Sequence, residues 1–308
     1  MSTSPLPVLV NRKGGTAASA GEDLEHTLID AFAAAGTNIA VRLLDGPDMP
    51  DVVRKAAATS RRVVVGGGDG TAACAAAILA DSDVEMGLLP LGTLNHLARD
   101  LGIPATLEEA AALAASGTAT SIDLAEVNGH VFANNASIGL YPMMVRRRDA
   151  YRERLGVPKW LAAIPASWSA WTRLRRYRLS LDMGEGQRPL VTSLLFVGNN
   201  RYSLERGQIG ERASLKQGKL SVFALAAPGR FALLWFALRA VAGRADHHKD
   251  FVEYGECESL TVHAHRTRVD VGLDGEVQEL EFPLHFRIRA GALRIVAPPE
   301  KSLAERPA

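Results

Sequence analysis

The sequence predicts an α/β protein in two parts, an N-terminal doubly wound parallel sheet followed by a C-terminal antiparallel β-sandwich. Three observations predict it. Over residues 1–120, short apolar β-branched runs alternate with segments of helical periodicity. From about Ser121 the pattern changes to short alternating runs separated by turn residues. Between these textures, Val63-Val-Val-Gly-Gly-Gly-Asp-Gly-Thr71 carries an apolar strand into a glycine turn at the mouth of an Ala-rich helix.

In order, residues 6–10 read as a strand, and 17–35 as a helix with Leu24, Leu28 and Phe32 at four-residue spacing and Gly36 at its stop. A strand at 39–44, a helix at 51–59 and a strand at 62–65 follow, then the glycine turn and a helix over 72–80. Leu88-Leu-Pro-Leu-Gly-Thr-Leu-Asn95 repeats the device: an apolar strand runs into Gly92 and Thr93, then a helical segment over 95–101 that Gly102 terminates. Thr106 and Glu109 form a capping box for a helix through Ser116, closed by Gly117. A sheet of this kind binds ligands beyond the carboxyl ends of its strands.

The second part, residues 121–300, carries strand patterns at 120–127, 130–137, 177–182, 190–197, 220–225, 259–265, 268–273, 285–289 and 293–296. A helical insert interrupts it near 141–176. Residues 146–154 are strongly basic, and Trp160, Ile164, Trp168 and Trp171 recur at helical spacing before Arg173, Arg175 and Arg176. Two readings fit the insert: an amphipathic face at a membrane surface, or a helix packed on the sandwich with a solvated basic end. Residues 231–241 read as another apolar helix and 301–308 as a tail.

Length and composition bound the function. A chain of 308 residues with 35 basic and 34 acidic side chains has ample core and no global electrostatic case for nucleic acid. Cys74 and Cys257 are far apart and form no metal or redox spacing, which suits a reducing compartment. The start lacks the pattern of a signal peptide, and no apolar run reaches the length of a membrane span, so a cytoplasmic, membrane-peripheral protein is expected. None of the eight histidines has zinc spacing, and His247-His248 cannot chelate one ion from a regular helix. Oligomeric state is not legible.

The glycine turns carry the chemistry. Gly66, Gly67, Gly68 and Gly70 leave backbone N–H groups unobstructed at the positive end of a helix, where an anionic phosphate can approach closely. Asp69 is repulsive there unless a cation, a ribose hydroxyl or a basic group intervenes, so it suggests a magnesium-bound nucleotide; the alternative is a Gly-rich turn with an Asx cap. The second turn, at Gly92, Thr93 and Asn95, would face the same cleft. Asn11-Arg-Lys-Gly-Gly15 also follows a strand and reaches that edge, with Arg12 and Lys13 facing either phosphate or solvent.

Gly67-Gly-Asp-Gly-Thr71, Pro90-Leu-Gly-Thr-Leu-Asn95 with Ala98-Arg99 and Gly102-Ile-Pro104, and Leu273-Asp-Gly-Glu276 together resemble the diacylglycerol kinase catalytic-domain family, which includes bacterial lipid kinases and sphingosine kinases. The first motif alone is shared with NAD kinases and resembles that of phosphofructokinases. The resemblance implies an NAD-kinase-like first domain, a β-sandwich second domain, ATP and Mg2+ as cofactors, and a lipid hydroxyl as acceptor. It places Asn11, Gly66, Gly67, Gly68, Asp69, Gly70, Thr71, Gly92, Thr93 and Asn95 at the nucleotide. It gives Asp274 the role of general base and Glu276 that of its charged neighbour; taken alone, Leu273-Asp-Gly-Glu276 is also an ordinary hairpin turn.

Several family positions differ. Ala73 and Cys74 stand where the family usually has Asn and Glu, and His96 where it usually has Asp. Lys216-Gln-Gly-Lys219 replaces an acidic loop that holds a structural Mg2+ in some relatives, and Gln217 between two lysines is a poor divalent ligand. The expected function is an ATP-dependent lipid kinase. Its rivals are NAD kinase and a catalytically weak nucleotide- or lipid-binding protein.

Overall fold

The computed structural model describes residues 4–13, 23–139, 142, 176–202, 212, 214–225 and 251–299. Gly14 and Gly15, the insert at 146–175, the apolar segment at 231–241, His247-His248 and the tail at 301–308 lie outside the described residues.

The first part alternates as expected. Its elements are β1 (Leu6–Asn11), α1 (Leu24–Ala34), β2 (Ile39–Leu44), α2 (Met49–Ala57), β3 (Arg62–Gly67), α3 (Asp69–Leu79), β4 (Glu85–Pro90), α4 (His96–Asp100) and α5 (Leu107–Ser116). The four strands are parallel in the order β2-β1-β3-β4. Val8, Val10 and Val63 to Val65 are solvent-free in the middle of that sheet, which is why they read as continuous apolar runs rather than alternating ones. Helix α1 packs with α5 and α2 with α3.

At α5 the capping differs from the sequence reading. The Thr106 hydroxyl donates to the Glu109 carboxylate at 2.7 Å instead of accepting a backbone N–H. Gly117 is extended (φ −67°), and the last carbonyls of the helix are met by Arg62, which donates to Ala114 O, Ala115 O and Gly117 O while pairing with Glu85. Gly117 closes the helix as expected, its N–H donating to Leu113 O at 2.7 Å, and the Arg62 cation adds to that closure at the negative end of the helix dipole.

The second part comprises β5 (Ala119–Val127), β6 (His130–Phe132), β7 (Asn135–Gly139), β8 (Tyr177–Asp182), β9 (Gln187–Thr192), β10 (Leu194–Asn199), β11 (Leu220–Leu225), β12 (Phe251–Cys257), β13 (Ser259–Ala264), β14 (Arg268–Leu273), β15 (Glu276–Glu281) and β16 (Leu284–Val296). One antiparallel sheet runs β12-β11-β10-β7-β14-β15. The other contains β5, β6, β16, β13, β8 and β9, and is continuous with the parallel sheet because the end of β16 lies parallel to β4 at Ile295 and Met86. A core between the two antiparallel sheets includes Phe132, Phe286, Leu260 and Val262 from one and Ile138, Val197, Val222 and Val271 from the other.

Two expected strands each divide in two. Residues 130–137 become β6 and β7, and 190–197 fall into β9 and β10, with each pair split between the two sheets. A chain that turns the corner of a sandwich keeps its alternating pattern on both sides, so the pattern does not reveal the corner. Conversely, the two strands expected at 285–289 and 293–296 are one, β16, irregular between Arg289 and Leu293. Strands β12 and β15 were not expected.

Candidate functional site

Strands β1 and β3 are neighbours, yet the chain winds outward from β1 to β2 and then in the opposite direction from β3 to β4. A crevice opens where the winding reverses, beyond the carboxyl ends of those two strands. Asn11 ends β1, and its Nδ2 donates to Thr71 Oγ1 at 3.1 Å across that crevice. Gly66 and Gly67 end β3 and are buried. A Cβ on Gly66 would come within 2.9 Å of Val10 Cγ2, and one on Gly67 within 2.6 Å of Thr71 Oγ1. These two therefore contribute close backbone approach and no open surface.

Helix α3 begins at Asp69, three residues earlier than its Ala-rich stretch suggests, with Gly68 as N-cap. Asp69, Gly70 and Thr71 thus form the first helical turn. No side chain caps it, so its N–H groups and the positive dipole end face the crevice.

The second turn locks onto the first through backbone. Leu91 N–H donates to Gly67 O at 3.1 Å, and a Cβ on Gly92 would lie 2.3 Å from Gly68 Cα. Asn95 is left-handed (φ 50°), and its side chain folds its own loop: Oδ1 accepts Gly92 N–H at 2.9 Å, while Nδ2 donates to Pro90 O and Gly92 O. Asp69 Oδ1 accepts the His96 N–H at 2.6 Å, so the carboxylate of the first turn caps the helix that follows the second. Thr93 and Leu94 are exposed at the rim. Arg12 and Lys13 are exposed and pair with Asp45 at 2.9 and 3.0 Å. The Lys13 ammonium, with Arg12 beside it, holds that carboxyl below its ordinary range.

Asp274 sits in the turn between β14 and β15 with φ 47°. Its carboxylate accepts three consecutive backbone N–H groups, Ala133 at 2.6 Å on Oδ2 and Asn134 at 2.8 Å and Asn135 at 3.0 Å on Oδ1. That fills three of the roughly four acceptor positions of a carboxylate and leaves one on Oδ2. Burial pushes the Asp274 pKa up, opposed by those N–H groups and by the positive charge of Arg212. Glu276, two residues on, faces α3: its Oε1 lies 3.4 Å from where a Cβ on Gly70 would be. The Cys74 thiol, one turn further along α3, is pushed up by burial and by the Glu276 charge. The hairpin of the second part therefore meets the first turns of α3.

Arg212 was not singled out by sequence. It is 1% exposed and among the largest fully buried side chains of the described residues. Its Nε donates to Asp100 Oδ2 at 2.7 Å, Nη1 to Ala133 O at 2.7 Å and Nη2 to Asn134 Oδ1 at 2.7 Å, with its guanidinium 5.6 Å from the Tyr202 ring centre. Asn199 Nδ2 and the Tyr202 hydroxyl bond the same turn, at Ala133 O and Asn134 O. A single arginine has no periodicity to betray it.

The loop at Lys216-Gln-Gly-Lys219 closes on protein groups. Gln217 Oε1 accepts the Arg201 N–H at 3.1 Å and Gln217 N–H donates to Asn200 Oδ1 at 2.9 Å. Buried Asp123 accepts from Gly218 N–H and Gly291 N–H at 2.7 and 2.8 Å. Lys219 pairs with Glu258 at the surface. These residues do not fit a structural Mg2+, and among the described residues no group of three His, Cys, Asp or Glu side chains has the geometry to hold a metal.

Comparison with known proteins shows the family and the fold. The signature of the diacylglycerol kinase catalytic domain matches residues 5–127. A "Probable lipid kinase YegS-like" of Pseudomonas aeruginosa is 30% identical over 295 residues, 94% of each chain. Its namesake in Pseudomonas fluorescens is 32% identical over 287 residues, covering 89% of this chain and 91% of the relative. The crystal structure of a diacylglycerol kinase from Bacillus anthracis str. Sterne superposes with a TM-score of 0.67 at 19% identity, over 97% of this chain and 98% of that one, which establishes the likeness of fold.

Two outcomes follow from the geometry. Gly92→Ala, by forcing the turns apart, is expected to destabilise by about 1–3 kcal/mol, the usual cost of overpacking; chemical denaturation checks the magnitude, and faster amide exchange at His96 checks the location. Because Gln217 and Asp123 satisfy their loop without a metal, chelating or adding Mg2+ in the absence of nucleotide leaves the melting temperature unchanged, as differential scanning fluorimetry will read; a chelator-induced drop contradicts that closure.

Proposed function

Because the chain belongs to the diacylglycerol kinase catalytic-domain family, a family of lipid kinases, we propose that it transfers the γ-phosphate of ATP to the hydroxyl of a diacylglycerol-like lipid between its two parts. In this reading residues 1–120 bind the nucleotide and 121–300 present the acceptor. The observation that carries it is the meeting of the Asp274-Gly-Glu276 hairpin with the first turn of α3, where Glu276 lies against Gly70. A kinase needs its phosphate site and its base on one reacting centre.

The N–H groups of Asp69, Gly70 and Thr71 receive the phosphates at the positive end of α3, with the Gly92 to Asn95 turn forming the other wall. Gly66, Gly67, Gly68, Asn11 and Asn95 keep that wall in shape. Mg2+ carried by the nucleotide would neutralise phosphate charge. Asp69 and Glu276 are the nearby carboxylates suited to it, since this ion keeps most of its shell as water and phosphate oxygen. Asp274, through the acceptor position left on Oδ2, takes the proton of the lipid hydroxyl as that oxygen bonds to the γ-phosphorus and the bond to the β-phosphate oxygen breaks, releasing ADP.

The sequence's Trp and Arg insert supports a membrane-peripheral role, where the protein would reach a lipid acceptor. Among the described residues no helix is long and apolar enough to cross a membrane.

Asp274→Asn tests the chemistry. Radiolabelled ATP with a panel of lipid hydroxyl acceptors in mixed micelles should show phosphorylation reduced about 10²- to 10⁴-fold with ATP affinity retained. The amide places an NH2 against the Ala133 N–H, so about 1–3 kcal/mol of stability is lost as well and rates are referred to the folded fraction. A variant as active as wild type removes Asp274 as the base, a wild type that binds ATP but phosphorylates no acceptor favours the binding-protein reading, and transfer to NAD favours the NAD kinase. Replacing Arg173, Arg175 and Arg176 together should weaken co-sedimentation with anionic vesicles, by about 1 kcal/mol per charge; unchanged or salt-insensitive sedimentation removes the membrane role.

A further inference from the structure

The turn at 133–135 has two sides. Its N–H groups all point at the Asp274 carboxylate, and its carbonyls are all occupied: Ala133 O by Arg212 Nη1 and Asn199 Nδ2, Asn134 O by Asn199 N–H and the Tyr202 hydroxyl, and Asn135 O by Asp274 N–H. The peptide joining Ala133 to Asn134 thus accepts from a guanidinium at one end and donates to a carboxylate at the other. Polarisation along such a chain strengthens both bonds. Arg212 Nη2 additionally holds the Asn134 side chain, so the guanidinium grips the turn at two points.

The same guanidinium is anchored elsewhere. Its Nε is paired with Asp100, the last residue of α4, the helix that Asn95 opens and Asp69 caps. One buried cation therefore connects the nucleotide-side helix to the scaffold of the proposed base, with every contact 2.7 Å long on Asp100, Ala133 and Asn134.

We propose that Arg212, anchored by Asp100, is a positioning residue for Asp274: it fixes the 133–135 turn so that the carboxylate is held at one place and in one orientation relative to the glycine turns. The inference rests on the reading of Asp274 as the base that accepts the lipid hydroxyl proton. A buried pair of this kind contributes little net stability compared with apolar residues of the same volume, so its worth lies in geometry. Asp100, Tyr202 and Asp274 are the charged or titratable groups that face Arg212.

A double-mutant cycle tests it. Arg212→Lys keeps the charge beside Asp100 but cannot reproduce the fork, so the turn loses at least one of its two grips. In the otherwise wild-type chain it should lower kcat for lipid phosphorylation about 10- to 100-fold, the scale of an ångström-level misplacement, with the dissociation constant for ATP unchanged. In the Asp274→Asn background the same substitution should have no further effect on kcat, because there is no base left to position. Rates are referred to ATP-binding sites, which removes any contribution from partial unfolding. The proposal is overturned if Arg212→Lys leaves wild-type kcat intact, lowers kcat by the same factor in both backgrounds, or abolishes ATP binding. Should Arg212→Lys not fold, Asn134→Ala, which removes only one grip, is put through the same cycle with the same expectations. An Asp274→Asn chain as active as wild type sinks the reading of the base itself, and is distinguished from failure of Arg212 because it needs no Arg212 variant to be seen.

Discussion

The contact on which the parallel-sheet half depends is between two glycines. Gly68 and Gly92 approach so closely that a Cβ on Gly92 would lie 2.3 Å from Gly68 Cα, and one on Gly68 would lie 3.3 Å from Gly92 Cα. Everything around the crevice follows from that approach. It brings Leu91 within reach of Gly67 O, places the start of α4 where Asp69 can cap it, and sets both turns beside Asn11 and Thr71. Asp69 then acts on two helices at once, as the first residue of one and the cap of the other. A change there disturbs the second turn as well as the first.

A second constraint joins this half to the sandwich. The chain switches sheets between β6 and β7, and a sheet-switching turn has backbone groups that no ladder satisfies. Asp274 takes the N–H side and Arg212, Asn199 and Tyr202 take the carbonyl side. Burial pushes the carboxyl groups of Asp100 and Asp274 upward, and the Arg212 charge opposes it at both. Asp100 and Arg212 form the direct ion pair of this cluster, and removing either leaves the other a buried charge without its partner. The polar cluster is therefore rigid for the same reason that it is costly.

Legibility from sequence followed the range of the interactions. The glycine turns, the alternation of the first part and the hairpin at Asp274 were readable because strand, turn and helix follow one another within a dozen residues. The geometry at Asp69 was partly readable: its place after a strand was plain, its bond to His96 across 27 positions was not. Asp100, Asn134, Asn199, Tyr202 and Arg212 were invisible, since each is defined by a partner remote in the chain. The corners at Ala133 and Ser193 were missed because alternation continues through a switch of sheets, and β16 was divided because its irregularity near Gly291 looks like a turn.

The family positions that differ can be weighed by which atoms the structure uses. At His96 the site takes the backbone N–H, bonded to Asp69, while the imidazole is exposed; a change of side chain there leaves that contact possible. At Gln217 an amide oxygen that accepts an N–H closes the loop where an acidic residue would need a cation, so the replacement is matched by its surroundings. Cys74 is different in kind. It sits on the face of α3 toward Glu276, and there a thiol supplies neither the charge nor the acceptor strength of the usual carboxylate. In the proposed kinase this thiol leaves Glu276 with one negative neighbour fewer than a carboxylate would, and the phosphates correspondingly less dependent on cations for neutralisation.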